Sequence, residues 1–120
     1  MISYCLGKWR DIIRFGGECE LCGRDDIRLN GHHIIKRGWR LLAGWFLLEN
    51  GICVCWKCHQ NIHSQHNPTE QLYHQKILEY LEKKGINYEL LYLQCRERIK
   101  DLGLTKLYLK TYLADLKKEK

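Results

Sequence analysis

Two Cys-x-x-Cys hooks, Cys19-Glu-Leu-Cys22 and Cys55-Trp-Lys-Cys58, stand in a chain of 120 residues with 32 residues between them. Four thiolates so arranged suit a tetrahedral ion such as Zn²⁺, bound through sulfur with no coordination position left open. An ion of that kind holds structure. In small zinc domains its binding free energy, about 10–16 kcal/mol, is folding free energy. Chemistry then has to come from what the hooks bracket: His32-His33, Asn50, and His59 with His63. His59 and His63 are four positions apart, which on a helix puts both on one face and within reach of one ion. Phosphodiester hydrolysis needs water deprotonated near neutral pH, which an imidazole of pKa about 6.5 can do, and a cation against the scissile phosphate.

Taken together these residues resemble the HNH, or ββα-metal, endonucleases. The resemblance runs over roughly residues 9–66. It lies in Leu29-Asn30-Gly31-His32-His33-Ile34-Ile35 and in Glu49-Asn50-Gly51-Ile52-Cys53-Val54-Cys55-Trp56-Lys57-Cys58-His59-Gln60-Asn61-Ile62-His63. What it implies is an α+β fold: a ββα-metal (HNH) core with a Cys₄ structural zinc site, a short N-terminal helix and a helical C-terminal extension. It also implies a DNA endonuclease that works by a one-metal mechanism and leaves 5′-phosphate and 3′-hydroxyl ends. In that reading His33 is the general base, His32, His59 and His63 hold a divalent catalytic metal, and Asn50 is the middle residue of the motif. The metal is Mg²⁺, Mn²⁺, Ni²⁺ or Zn²⁺, and a set of nitrogen ligands disfavours Mg²⁺. A longer pattern is similar, more loosely, to phage recombination endonucleases that cut branched DNA. It comprises His-Ile-Ile-Lys-Arg, Cys-x-x-Cys-His, Asn67-Pro68 and a helical tail.

Several roles stay open on the residues alone. The amide of Asn50 either fixes a loop and orients His33 or supplies an oxygen to the metal. Neighbours on a regular strand point to opposite faces, so a bulged or twisted strand end is expected if His32 and His33 serve one site. Lys36, Arg37 and Arg40 put three cations beside His33, with Arg37 foremost, and suit phosphate contacts that hold a DNA backbone without reading its sequence. Trp45-Phe46, within the apolar run from Leu41 to Leu48, is either core or an exposed wedge for distorted DNA. His66 and His74 read as surface residues, His66 with a spare place on the His59 face. The competing account of the whole set is a non-catalytic, zinc-dependent DNA-binding or scaffold protein.

The elements that must position these groups follow from periodicity and stop signals. A helix is predicted from Ser3 to Arg14, with Leu6, Trp9, Ile12 and Ile13 at helical spacing and Gly16-Gly17 as its end. Strands are predicted over Ile27–Ile35 and Ile52–Cys55, followed by a helix from Trp56 to about His66. Three helices then follow: from a Thr69 cap to Lys84, from an Asn87 cap to Leu102 with Gly103 as its stop, and from Thr105 onward with Leu109, Tyr112, Leu113 and Leu116 as a stripe. On the resemblance, residues 1–68 would be the nuclease core with its zinc site, and residues 69–120 a helical C-terminal extension of the same domain.

Composition agrees with one ordered domain, at 45% hydrophobic and 28% charged residues with a single proline. Lys8, Arg10 and Asp11 interrupt the start of the chain and no apolar run reaches membrane-spanning length. An intracellular, cytoplasmic protein is expected, in the host cytoplasm if phage-encoded. The seven cysteines are odd in number, so Cys5, Cys53 and Cys95 are expected as buried thiols. The formal charge of +6, about +4 once four thiolates hold Zn²⁺, suits DNA as partner. The helical tail is a surface on which a homodimer could form.

Overall fold

A computed structural model describes residues 1–38, 40–62 and 68–119, the side chains of 68–73 excepted. The architecture is α+β, with a two-stranded sheet and five helices among the described residues. The first helix, α1, spans Ile2–Ile13 and buries Cys5, Trp9 and Ile12, spaced four and three apart as one helix face requires. The first strand, β1, is Leu29–His33, shorter at both ends than expected, and pairs antiparallel with β2, Gly51–Cys55. All five residues of β2 are buried, which explains why its sequence is continuously apolar rather than alternating. Helix α2, Trp56–Ile62, follows β2 without a loop.

The two faces of this sheet are covered differently. On one face α1 approaches closely because two strand positions lack a side chain: a Cβ on Gly31 would lie 3.5 Å from the Arg10 Cα, and one on Gly51 only 2.9 Å from the Trp9 ring. The other face carries Ile52 and Val54, which pack with Cys19, Cys55 and Cys58. The ladder is unbroken through His33 opposite Gly51. The pairing is therefore regular to the strand end, and no bulge is found there.

In the C-terminal half, α3 spans Pro68–Lys83 and ends before Gly85, whose φ of 73° is the left-handed conformation that a helix stop favours. Helix α4, Tyr88–Cys95, is capped by Asn87, whose side chain accepts a hydrogen bond from the Leu90 N–H at 2.9 Å. It stops at Cys95 rather than reaching Leu102. The next residues instead turn back on the loop before β2, where the Ala43 N–H donates to the Glu97 carbonyl and Leu42 bridges Arg98. Helix α5, Leu102–Lys118, opens at Asp101, whose Oδ1 accepts from the N–H groups of Gly103 and Leu104 at 2.9 and 3.2 Å. A carboxylate that satisfies two orphan donors outweighs a glycine as a boundary signal, so Gly103 lies inside the first turn and Thr105 is not its start.

The extension shares its core with the first half. Cys5, Trp9, Ile12 and Phe46 pack with Leu109 and Leu113 of α5. Ile77 and Leu81 of α3 pack with Leu91 and Cys95 of α4, against Ile34, Leu47 and Ile62. Phe46 is 5% exposed and belongs to the core, and Trp45 is half-buried against it, so the pair packs inward rather than standing out as a wedge. Cys5, Cys53 and Cys95 are buried as expected. No described helix is long and apolar enough to cross a membrane.

Replacing Asp101 with Ala removes the α5 cap and should cost about 1 kcal/mol of stability, read as a lower urea midpoint at constant slope. A silent substitution would mean that the helix begins later, near Thr105.

Candidate active site

The metal centre is built from a knuckle and a strand-to-helix junction. After α1 the chain reaches Cys19, whose carbonyl accepts from the Gly23 N–H at 2.8 Å, and Gly23 takes a φ of 78° to close the turn around Cys22. The Glu20 N–H donates to the Cys53 carbonyl, which ties this turn to β2. The second hook ends β2 and opens α2, so that the Cys58 N–H points at the Cys55 Sγ, 3.4 Å away. All four sulfurs of Cys19, Cys22, Cys55 and Cys58 lie within 4.8 Å of one another, with Cys22 and Cys55 at 3.6 Å. A tetrahedral Zn²⁺ with bonds of about 2.3 Å separates its sulfurs by roughly 3.8 Å, so the set fits. Burial raises the Cys19 thiol pKa, but backbone N–H groups at Cys55, Cys22 and Leu21 outweigh it and bring the value to about 7. The four cysteines can hold a structural metal such as zinc.

Beside this centre, a cleft of 390 Å³ opens along the free edge of β1, lined by Arg10, Gly31, His32, His33, Lys36, Arg37 and His59. The strand's alternation sends His32 toward α2, where its ring meets that of His59 edge-on at 5.3 Å, and His33 toward α1. Both histidines reach one cleft because the cleft wraps the strand edge. The His33 ring stacks on Trp9 at 3.9 Å with an interplanar angle of 6°, and its Nε2 lies 2.9 Å from the Trp45 carbonyl. A carbonyl only accepts, so Nε2 carries the hydrogen and Nδ1 keeps its lone pair. Burial lowers the His33 pKa to about 4, against the Trp45 carbonyl and with the help of Arg37 and Arg10. The ring is neutral near pH 7.

Asn50 has no exposed surface. Its Oδ1 accepts from the Ile35 N–H at 2.8 Å, and its Nδ2 donates to the carbonyls of Ile35 and Gly44 at 3.0 and 2.9 Å. Of the two roles open to it, the geometry supplies the one that fixes the loop. Gly44 in turn lies against Cys95, where an added Cβ would come within 2.8 Å of the cysteine's own. The indole N–H of Trp45 donates to the carbonyls of Arg40 and Arg37 at 2.8 and 3.2 Å, and the Arg37 guanidinium sits 4.7 Å above the same ring. This turn keeps Lys36 and Arg37 on the cleft wall, while Arg40, also exposed, lies on the turn outside the lining.

His63 and His66 fall outside the described residues, and His74 is exposed on α3 away from the cleft lining. Two imidazoles bound to one ion at about 2.0–2.1 Å have ring centres roughly 5 Å apart, which the His32–His59 separation matches. Arg10 lines the cleft, and Trp9 and Trp45 hold His33 in place, although the sequence shows only their basic or apolar character. The spacing of Trp9, Arg10 and Ile13 on one helix was the available signal.

No family model matches the chain, and no solved structure matches it. Over 57 residues it is 35% identical to the uncharacterized protein YisB of Bacillus subtilis (strain 168), a stretch that takes in 48% of this chain. The chain spans about half the length of that curated relative, 52%.

Purified protein should contain one tightly held zinc per chain by elemental analysis. Cys58→Ser should release it and lower the thermal midpoint, whereas Cys95→Ala should keep it. Zinc retained by the Cys58 variant would remove that thiolate from the ligand set. Gly51→Ala should lift α1 from the sheet and destabilise by about 1–3 kcal/mol, with loss of the Trp9–His33 contact visible as a change in tryptophan fluorescence.

Proposed function

We propose that this chain is a metal-dependent DNA endonuclease of the HNH, or ββα-metal, class. The observation that carries the reading is the state of His33: a neutral imidazole, fixed by a carbonyl and a stacked indole, with an acceptor nitrogen in a cleft that also holds a histidine pair and cations. The order of two antiparallel strands and a following helix, with His32-His33 on the first strand and His59 on the helix, supports it.

In this mechanism Nδ1 of His33 takes a proton from a water molecule as its oxygen attacks the phosphorus of a phosphodiester. The bond from phosphorus to the 3′ oxygen breaks, the 3′ oxygen takes a proton from solvent, and 5′-phosphate and 3′-hydroxyl ends result. His32 and His59, with His63 as a further candidate, would hold one divalent cation. That cation supplies positive charge to the scissile phosphate and the leaving oxygen. Nitrogen ligands and a lining without a carboxylate favour Zn²⁺, Ni²⁺ or Mn²⁺ over Mg²⁺. Trp9 and the Trp45 carbonyl keep the base in one tautomer and one orientation, and Asn50 acts through that carbonyl as a positioning residue. Lys36, Arg37 and Arg40 contact the DNA backbone, so strong sequence preference is not expected. The looser likeness to phage enzymes extends the proposal to branched DNA as one substrate.

The deciding experiment incubates wild type and His33→Ala with supercoiled plasmid and with a synthetic four-way junction, in Mn²⁺, Ni²⁺, Zn²⁺, Mg²⁺ or EDTA. Wild type should cut only with metal. The variant should lose at least about 10²-fold in rate while keeping its zinc and its DNA affinity. Unchanged cutting by the variant would sink the assignment of His33, and DNA binding without cutting in any metal would favour a zinc-dependent scaffold. Arg37→Ala should weaken DNA binding and reduce the slope of log K against log salt by about 1.

A further inference from the structure

We infer that Arg10, on helix α1, binds a phosphate of the substrate strand from a different wall of the cleft than Lys36 and Arg37, so that the strand is held by two basic walls beside the histidines. The inference rests on the nuclease reading and adds a residue and a binding direction to it.

The sheet glycine makes the placement possible. Because Gly31 has no side chain, the backbone of α1 lies directly on β1, with the Arg10 Cα among the three nearest atoms to where a Cβ would stand. The Arg10 side chain, exposed at the end of that face, lines the same cleft as His32, His33 and His59. One turn further along, Arg14 is engaged by Asp11 at 2.8 Å. Arg10 and Lys36 have no carboxylate partner among the described residues, and the cleft lining contains no acidic side chain. Three cations on two walls, facing histidines and no carboxylate, form a field that an anion relieves. The planar guanidinium fork pairs with two phosphate oxygens at once, and three cations spread along one cleft suit the repeated charges of a phosphodiester strand better than a single carboxylate.

Two walls also imply a direction. Lys36 and Arg37 stand on the loop that follows β1, whereas Arg10 comes from the helix that crosses it. A backbone that touches both must run past the free edge of β1, with the phosphate nearest the histidines between its two anchored neighbours.

The test is fluorescence anisotropy of a labelled DNA duplex with wild type, Arg10→Gln, Arg10→Lys and Arg14→Gln across a salt series, with a mononucleotide as competitor. Removing one phosphate contact should flatten the slope of log K against log salt by about 0.9 and weaken binding roughly eightfold at 0.1 M salt. Arg10→Lys should restore the slope and Arg14→Gln should leave it unchanged. Thermal midpoint and zinc content should be the same in all four proteins, which a purely structural role for Arg10 would not allow. A wild-type slope and affinity in Arg10→Gln would overturn the inference. So would competition by the mononucleotide at a concentration equal to that of DNA phosphate, because the cleft would then hold a free nucleotide rather than a strand. Cleavage measured on the same preparations keeps the two readings apart: a wild type that binds DNA through Arg10 but cuts nothing fails the nuclease reading alone.

Discussion

The buried amide of Asn50 is the constraint on which the cleft depends. All three of its hydrogen bonds go to backbone groups of Ile35 and Gly44, residues nine apart in the chain. A buried donor or acceptor left unpaired costs about 1–3 kcal/mol, so the amide holds both loop ends together or holds neither well. With Gly44 fixed, the next carbonyl, that of Trp45, is brought to His33, and the Trp45 indole is brought under the basic turn. One side chain thereby sets the orientation of the candidate base and the wall that faces it.

Both walls are held from behind by the C-terminal helices, none of whose described residues lines the cleft. Helix α4 and the residues after it support the loop wall, through Cys95 against Gly44 and through Glu97 bonded to Ala43. Helix α5 supports the other wall, because Leu109 and Leu113 pack with Trp9 and Ile12 on the buried face of α1. The division at residue 68 is therefore one of composition and not of packing. Helices remote from the histidines fix the distance between the two sides of the cleft, and a loss of packing there would reach the site without touching it.

The chemistry-bearing residues were legible because their signal is local: two hooks of fixed spacing, a histidine pair, and an i, i+4 histidine pair. The four cysteines do converge, and His32 does meet His59, with His63 outside the described residues. What stayed illegible depends on contacts distant in sequence. Trp9 reads as one more apolar position of a helix, and only the fold shows that it stacks on His33, 24 residues away. The choice between two roles for Asn50 turned on where Gly44 lies, which no periodicity records. The boundary between α4 and α5 is not where Gly103 suggests, because glycine is a stop signal only on average, whereas Asp101 with its two bonded N–H groups decides the case. Alternation does send His32 and His33 to opposite faces of β1, yet no distortion of the strand is needed to bring both to one site. The expectation of a bulge assumed a site on one face, and this cleft lies along an edge.

The electrostatics of the cleft bear on how a neutral histidine can serve as a base among cations. Burial and the charges of Arg37 and Arg10 disfavour imidazolium, while the Trp45 carbonyl favours it. Taken alone this balance makes a weak base, since a low pKa reduces the driving force for proton transfer. In the proposed nuclease a bound phosphodiester would favour imidazolium through its negative charge, while the divalent cation held by the neighbouring histidines would act the other way. The dipole of the Trp45 carbonyl, fixed through Asn50 before substrate arrives, is already aimed at the charge that develops on the ring as the proton moves, and stabilisation by such a preset dipole requires no reorganisation during reaction. In the proposed nuclease, burial first and the two arginines second would keep the unloaded base neutral, and a bound strand would offset only the part that the arginines contribute.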